Sequence, residues 1–392
     1  MSETPHRTPS RAGRLALNCA WLVLVSFLRA PAVQAVVYPQ RGLVDQSAGF
    51  VIVDTPDYVF RGSGAIARDG RLVYSCAHVL FDNGKWATTF AFKRAWHARS
   101  WPSINNAQHP RGFRHFSDYA AYVEQFGDTD VETFNLDFTI FYSNLAFGTA
   151  MRYWADGAAA VASNAPKRIV GYPADLDYTR QLGYAYQHAT PWFSTRGLDF
   201  ASAYYKFDNV STGGGNSGGP IYVRDSVDGA PVFAGVLVAG TSTTAGVRVH
   251  DAAADEMAVA ALGDIDTLGE SVTFSNQNAF LLPDGTRGYR QRAVAVSGFS
   301  GTLSDVEVTL LITTPFRGDL NVYLVAPNGR IQWISRRDGG SANNLSLRYR
   351  SYRSRFAGVN PNGTWRLFMR DAAPRDRASF KSFGLRVTAP RT

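Results

Sequence analysis

A serine set between glycines, Gly213-Gly214-Gly215-Asn216-Ser217-Gly218-Gly219-Pro220, is the stretch of this chain best suited to chemistry, and it runs into the apolar Ile221-Tyr222-Val223. Glycines admit positive φ and let main-chain N–H groups approach a ligand, so two amides can converge on a carbonyl oxygen where negative charge develops. Ser217 is then a candidate nucleophile. A serine hydroxyl is weak at neutral pH and needs a histidine to take its proton and a carboxylate to orient that histidine. Two other stretches offer these groups. Ser75-Cys76-Ala77-His78-Val79-Leu80 places a histidine just after an apolar run, and Leu136-Asp137-Phe138-Thr139-Ile140-Phe141 places a carboxylate at the head of another. Singly, His78 reads as a core histidine and Asp137 as a turn cap. In the order His, Asp, Ser, beside a glycine-flanked serine, they make a candidate triad.

The elements that must hold these side chains read as β. Runs rich in Val, Ile, Phe and Tyr recur between Gly, Asp and Pro breaks: Phe50-Val51-Ile52-Val53, Tyr58-Val59-Phe60, Leu72-Val73-Tyr74, Thr88-Thr89-Phe90-Ala91-Phe92 and Phe138-Thr139-Ile140-Phe141-Tyr142. This spacing suits antiparallel barrels or sandwiches rather than alternating βα units. Between Lys93 and Asn135 the pattern breaks into an irregular insertion with one helix-like patch, Phe116 to Phe126. Its histidines, His97, His109 and His115, fit no metal-ligand spacing.

At 392 residues and 45% hydrophobic content, the chain is long enough for two domains. Residues 1–35 stand apart. Arg7, Arg11 and Arg14 precede an apolar run from Leu15 to Leu28, and Ala32-Val33-Gln34-Ala35 ends in small residues suited to signal-peptidase cleavage. The run is shorter than the ~20 residues a spanning helix needs, so a secreted mature chain without a membrane span, extracellular or periplasmic, is expected. Of two cysteines, Cys19 lies in that segment and only Cys76 remains, which excludes an intramolecular disulfide in the mature chain. The net charge of +8 is unevenly divided: from Arg287 onward there are 18 Lys+Arg against 6 Asp+Glu, while residues 36–286 hold 18 against 25. The basic run Arg348-Tyr349-Arg350-Ser351-Tyr352-Arg353-Ser354-Arg355 suits a polyanion, an anionic surface, RNA or, more plainly, a solvated strand face. No specific nucleic-acid partner is expected.

The segments around His78, Asp137 and Ser217 together resemble the signatures of chymotrypsin-fold serine endopeptidases, with Ser75-Cys76-Ala77-His78 in place of the usual Thr-Ala-Ala-His. The likeness is to the bacterial glutamyl-endopeptidase-like branch. It rests on Val170-Gly171-Tyr172-Pro173, on Asn216 rather than Asp before the serine, and on the lack of a disulfide framework. The resemblance implies an all-β fold of two antiparallel six-stranded barrels, with His78 and Asp137 from the first and Ser217 from the second. It also implies an oxyanion hole from the amides of Gly215 and Ser217, and catalysis without a cofactor. The glycines also match the nucleophile elbow of α/β-hydrolases, but that fold has its histidine last, and only His250 follows Ser217, too soon for the remaining elements. Alignment to the family by the serine and by Gly246-Val247-Arg248-Val249 puts Ser211 at the base of the primary specificity pocket, Thr212 beside it, and Gly240 and Gly246 on its walls. The strand from Phe233 to Gly240 carries no histidine or other cation. An uncharged pocket is therefore expected, with protein or peptide substrates cut after Phe, Tyr, Leu or Met rather than after Glu.

Residues 36–265 thus read as the protease-like domain and 266–286, with Asn276-Gln277-Asn278, as a linker. Residues 287–392 resemble the proprotein-convertase P-domain, a jelly-roll-like β-sandwich, through Gly301-Thr302-Leu303-Ser304-Asp305-Val306, the hairpin Arg317 to Gly329, Asn362-Gly363-Thr364-Trp365 and Ser382-Phe383-Gly384-Leu385. That domain type can hold structural calcium, for which Asp305, Asp319 and Asp371 are the candidate ligands. The arginine-rich stretch stands where the resemblance calls for an acidic turn. Two functions follow: an active secreted endopeptidase with an accessory sandwich, or an inactive protease-like binding protein that acts through its basic C-terminal domain.

Overall fold

The computed structural model describes residues 36–37, 46–54, 59–87, 89–97, 104, 107–174, 186–225 and 229–391. The expected export segment, 1–35, lies outside the described residues. No described helix is long and apolar enough to cross a membrane.

The chain is organised as strands throughout. After β1 (Val36–Val37) come β2 (Ala48–Asp54), β3 (Val59–Ile66) and β4 (Leu72–Ser75), then the short hairpin β5 (Phe81–Asp82) and β6 (Lys85–Trp86). β7 (Phe90–Arg94), β8 (Gly112–His115) and β9 (Thr139–Tyr142) complete a six-stranded antiparallel sheet in the order β7-β2-β3-β4-β9-β8. The run Phe50-Val51-Ile52-Val53 is apolar at every position because both faces of β2 are covered. Val51 and Val53 enter the main core, while Phe50 and Ile52 pack with Ala91, Ala107 and Tyr172. The segment from Lys93 to Asn135 is more than an insertion, since Gly112 to His115 supply the sixth strand. Its polar, half-exposed sequence hid that role. His97, His109 and His115 join no metal-ligand group among the described residues.

The second sheet uses β10 (Lys167–Gly171), β11 (His188–Ala189), β12 (Leu198–Ala201), β13 (Tyr204–Asp208), β14 (Pro220–Arg224), β15 (Pro231–Gly240) and β16 (Thr244–Val249). Its order is β1-β11-β10-β14-β15-β16-β13-β12. Six strands of four or more residues form its body, and the two-residue strands β1 and β11 extend one edge. The helix Ala252–Thr267 starts at Asp251, whose side chain accepts the Ala254 N–H at 2.9 Å. Its Met257, Ala258, Ala261 and Ile265 close the first core, which also holds Ile140 and Tyr142 of β9.

A β-sandwich follows. One sheet is built from β17 (Glu270–Asn276), β18 (Phe280–Leu281), β20 (Asp305–Thr313), β23 (Leu345–Ser351) and β25 (Ser379–Ala389); the other holds β19 (Arg290–Val296), β21 (Leu320–Val325), β22 (Ile331–Arg336) and β24 (Gly363–Asp371). Alternation is clearest in β24, where Trp365, Leu367 and Met369 are fully buried between outward Arg366 and Phe368. Residues 266–286 are not a linker. β17 and β18 both pair with β25, and of the polar Asn276-Gln277-Asn278 the first ends β17 and the other two lie between the strands. The last turn of the helix and Gly269, at φ +81°, carry the chain directly into the sandwich.

The two units meet through buried charge. Arg111 pairs with Asp305 and with Glu307, the latter at 2.9 Å, and donates to Thr388 Oγ1 at 2.9 Å. Arg353 of the sandwich donates to the Arg111 carbonyl at 2.7 Å. Burial, helped by the Asp305 charge, pushes the Glu307 carboxyl up to about 7 although Arg111 and Arg386 pull against it.

Candidate active site

His78 sits in the single 3-10 turn Ala77–Val79 that follows β4. Asp137 ends the helix Val131–Leu136 and precedes β9, the strand that pairs with β4, so strand pairing brings the two residues together across 59 positions of sequence. One carboxylate oxygen of Asp137 accepts the His78 backbone N–H at 2.9 Å; the other lies 2.6 Å from His78 Nδ1. The Asp137 side chain is 1% exposed and that of His78 30%, so the carboxylate is dry while the ring reaches the surface. Burial pushes the imidazole down, but the adjacent Asp137 charge and its hydrogen bond outweigh this and hold it well above its ordinary value. Nε2 lies 3.6 Å from Sγ of Cys76, a fully buried thiol that burial pushes up.

Ser217 and His78 line one cavity of about 430 Å³, together with Phe60, Phe81, Phe134 and Val238. The serine turn needs its glycines. Gly215 and Gly218 lie at φ +89° and +79°, and a Cβ on Gly218 would stand 2.1 Å from Ser75 Oγ and 2.3 Å from the Ser63 carbonyl. The N–H groups of Asn216, Gly218 and Gly219 donate to Gly213, Leu237 and Asn216 carbonyls. Those of Gly215 and Ser217 have no acceptor among the described residues, which leaves two adjacent donors for a ligand oxygen. Asn216 is buried and turns its side-chain amide onto the Gly213 carbonyl at 3.1 Å, so it braces the turn.

Sequence reasoning missed Ser63. This buried β3 residue donates its N–H to the Ser217 carbonyl at 2.7 Å and its hydroxyl to the Gly215 carbonyl at 2.9 Å. The same hydroxyl accepts the Tyr172 N–H at 2.9 Å, and the Ser63 carbonyl accepts Ser75 Oγ at 2.7 Å. It thereby ties the serine turn to the strand before His78. The only local signal was Gly62-Ser63-Gly64, glycines in mid-strand that mark a close backbone approach.

The residues aligned to a specificity pocket are divided. Gly240 lines the cavity of Ser217 and His78. Ser211 and Thr212 instead flank a separate space of about 10 Å³ with Asn216 and His188. Gly246 packs against an aromatic side chain of β13, since the Tyr204 hydroxyl would stand 2.3 Å from an added Cβ, and it does not line the cavity of Ser217 and His78. The strand β15 carries no histidine, yet β11 delivers His188 beside Ser211 from a remote part of the chain. Burial, with a minor contribution from His97, pushes that imidazole down to about 4 and keeps it neutral at physiological pH.

The three calcium candidates do not all come together. Among the described residues, the one group with three His, Cys, Asp or Glu ligand atoms within 4.8 Å of one another is Cys76, His78 and Asp137. Asp305 is held by Arg111 and Ser351 at the boundary between the units. Asp319 and Asp371 are neighbours, linked by the Ala372 N–H to the Asp319 carbonyl at 2.8 Å. Burial and the charges of Asp284 and Asp319 raise the Asp371 carboxyl to about 6. As a set, Asp305, Asp319 and Asp371 do not fit a single ion.

Two curled antiparallel sheets, of six and eight strands, bring a histidine held by an aspartate from the first and a serine turn from the second to one cavity, as the resemblance to chymotrypsin-fold endopeptidases implies, and a β-sandwich follows. Residues 303–387 match the family described as Proprotein convertase P-domain. Over the chain, Leupeptin-inactivating enzyme 1 of Streptomyces exfoliatus is 27% identical across 256 residues, 63% of this chain and 49% of that protein. Transglutaminase-activating metalloprotease of Streptomyces mobaraensis is 29% identical across 140 residues, 36% and 18% of the two chains. The chain therefore spans about half the length of the first relative and less than a fifth of the second. Among solved structures, protease Anisep from Arthrobacter nicotinovorans is similar at 16% identity and a TM-score of 0.42, covering 56% of this chain and 96% of that one. A Glu endopeptidase in complex with MPD is similar at 15% identity and a TM-score of 0.43, with coverage of 59% and 96%.

Proposed function

We propose that this chain is a secreted serine endopeptidase that works through an acyl-enzyme. The reading is carried by one observation: a single dry carboxylate, Asp137, holds both the backbone and the ring N–H of His78 on the wall of the cavity that Ser217 shares. Ser217 Oγ attacks the substrate carbonyl carbon while His78 Nε2 takes the hydroxyl proton. The proton then passes to the leaving amine, the peptide C–N bond breaks, and water attacks the resulting ester by the same route in reverse. Asp137 keeps the proton on Nδ1 and stabilises the imidazolium between these steps. The unengaged N–H groups of Gly215 and Ser217 suit the oxyanion.

The apolar Phe60, Phe81, Phe134 and Val238 around the cavity support a preference for aromatic or large aliphatic side chains, each worth about 1.5–3 kcal/mol on full burial. Asp82 and Asp128 line the same cavity and oppose an acidic side chain, and His188, neutral and set apart, offers Glu no compensating charge. A fluorophosphonate probe tests the mechanism: wild-type protein labels and Ser217→Ala does not. Labelling that survives in Ser217→Ala, or no labelling of the folded wild type, overturns it. Peptide-library profiling tests the preference, and dominant cleavage after Glu, Asp, Arg or Lys would refute it.

A further inference from the structure

A second cavity, of about 340 Å³, lies between the protease-like unit and the sandwich. Lys93, Arg94 and Gln108 line it from one side, and Arg348, Tyr349 and Arg386 from the other. The lining thus holds four cationic side chains and, among the described residues, no carboxylate. Arg386 is engaged by Glu307, whereas neither Arg94 nor Arg348 has an ion-pair partner among the described residues. Lys93 and Arg348 belong to different units yet repel each other: burial, then the Arg348 charge, push the Lys93 ammonium below its ordinary value.

The sandwich wall is shaped by an irregularity in β23. Its register against β20 shifts between Val308 and Leu310, and Tyr349 takes φ +55°. Such a bulge re-aims side chains, and here the Tyr349 ring lies under the Arg386 guanidinium at 4.0 Å. The rest of the basic run is committed elsewhere. Arg353 donates to the Arg111 carbonyl and Arg355 to the Ile331 carbonyl. The charge that reaches the cavity therefore comes from both units, and not from an open arginine-rich face.

We propose that this cavity binds a small molecule bearing two or more phosphate or sulfate groups, which bridges the two units. Guanidinium forks match tetrahedral oxyanions in a bidentate way and a lysine adds a point charge. An anion between Lys93 and Arg348 turns their repulsion into a shared attraction. The apolar Phe92, Leu145 and Phe147 on the same lining suit the carbon skeleton of a sulfated or phosphorylated sugar. The site is independent of the proteolytic reading, so it is tested on full-length Ser217→Ala protein, which also avoids self-digestion.

Isothermal titration at constant ionic strength would use two probes, inorganic tripolyphosphate and a trisulfated heparin disaccharide. At least one is expected to bind with 1:1 stoichiometry and a Kd below about 100 μM, and to raise Tm. Arg348→Ala and Arg94→Ala, two side chains without ion pairs, should each weaken binding about tenfold or more while leaving the unliganded Tm unchanged or higher. Whichever probe binds more tightly identifies the source as a polyphosphate or a sulfated glycan. The proposal is overturned if neither probe binds below about 1 mM, or if both variants bind as tightly as the parent protein.

Discussion

Ser63→Ala removes one hydroxyl and tests whether the serine turn is held from outside itself. That hydroxyl accepts the Tyr172 N–H and donates to the Gly215 carbonyl, both at 2.9 Å, in a residue that is 1% exposed. The backbone bond from Ser63 N to the Ser217 carbonyl survives the change, so the strand stays in place and only the hydroxyl clamp is lost. A buried amide and a buried carbonyl are each left short of a partner, at about 1–2 kcal/mol apiece. If that roughly 2–4 kcal/mol is restored only when the turn tightens around the oxyanion, the loss falls on the transition state. It then corresponds to about 30- to 1000-fold in kcat/KM, carried mainly by kcat. The assay is steady-state kinetics on a chromogenic peptide, normalised by active-site titration, with thermal unfolding in parallel. A purely structural role would instead lower Tm by about 2–4 °C per kcal/mol and leave kcat per titrated site unchanged. A variant with kcat within about twofold of wild type would refute the positioning role.

Three further outcomes are expected. Because Asp137 holds the His78 imidazole well above its ordinary value, and the neutral ring is the base, kcat/KM should rise with pH through an apparent pKa above that of a free histidine. Asp137→Asn should shift that limb downward and lower kcat, and an unshifted limb would contradict the assignment. Arg111→Met removes the ion-pair partner of Asp305 and leaves Glu307 with Arg386 alone, both carboxylates being essentially unexposed, so thermal or denaturant unfolding should show a loss of about 3–5 kcal/mol, and a loss under about 1 kcal/mol would show that the contact contributes little. The Asp371 carboxyl is raised to about 6, so the folded state retains a proton that the unfolded chain releases nearer 4, and stability falls as pH rises across that window. Asp371→Asn should therefore raise Tm above pH 6 and leave it unchanged near pH 4; equal shifts at both would contradict the sign.

What the amino-acid order alone determined is local chemistry and period. Gly215, Gly218 and Gly219 around Ser217 are dictated by backbone positions that tolerate no Cβ, the apolar alternation of strands such as Gly363–Asp371 by a two-residue pleat, and both are written in adjacent residues. His78 and Asp137 were legible because each sits at a strand boundary with a recognisable flank. Whatever depends on which strands pair was decided by the tertiary structure. β11 carries His188 to Ser211, β3 brings Ser63 to the serine turn across 152 residues, and β25 turns an apparent linker into two strands. Arg111 and Asp305 are 194 residues apart; the sequence marks Asp305 as a calcium candidate and nothing singles out Arg111. Only burial at one interface, where neither can remain unpaired, makes them partners.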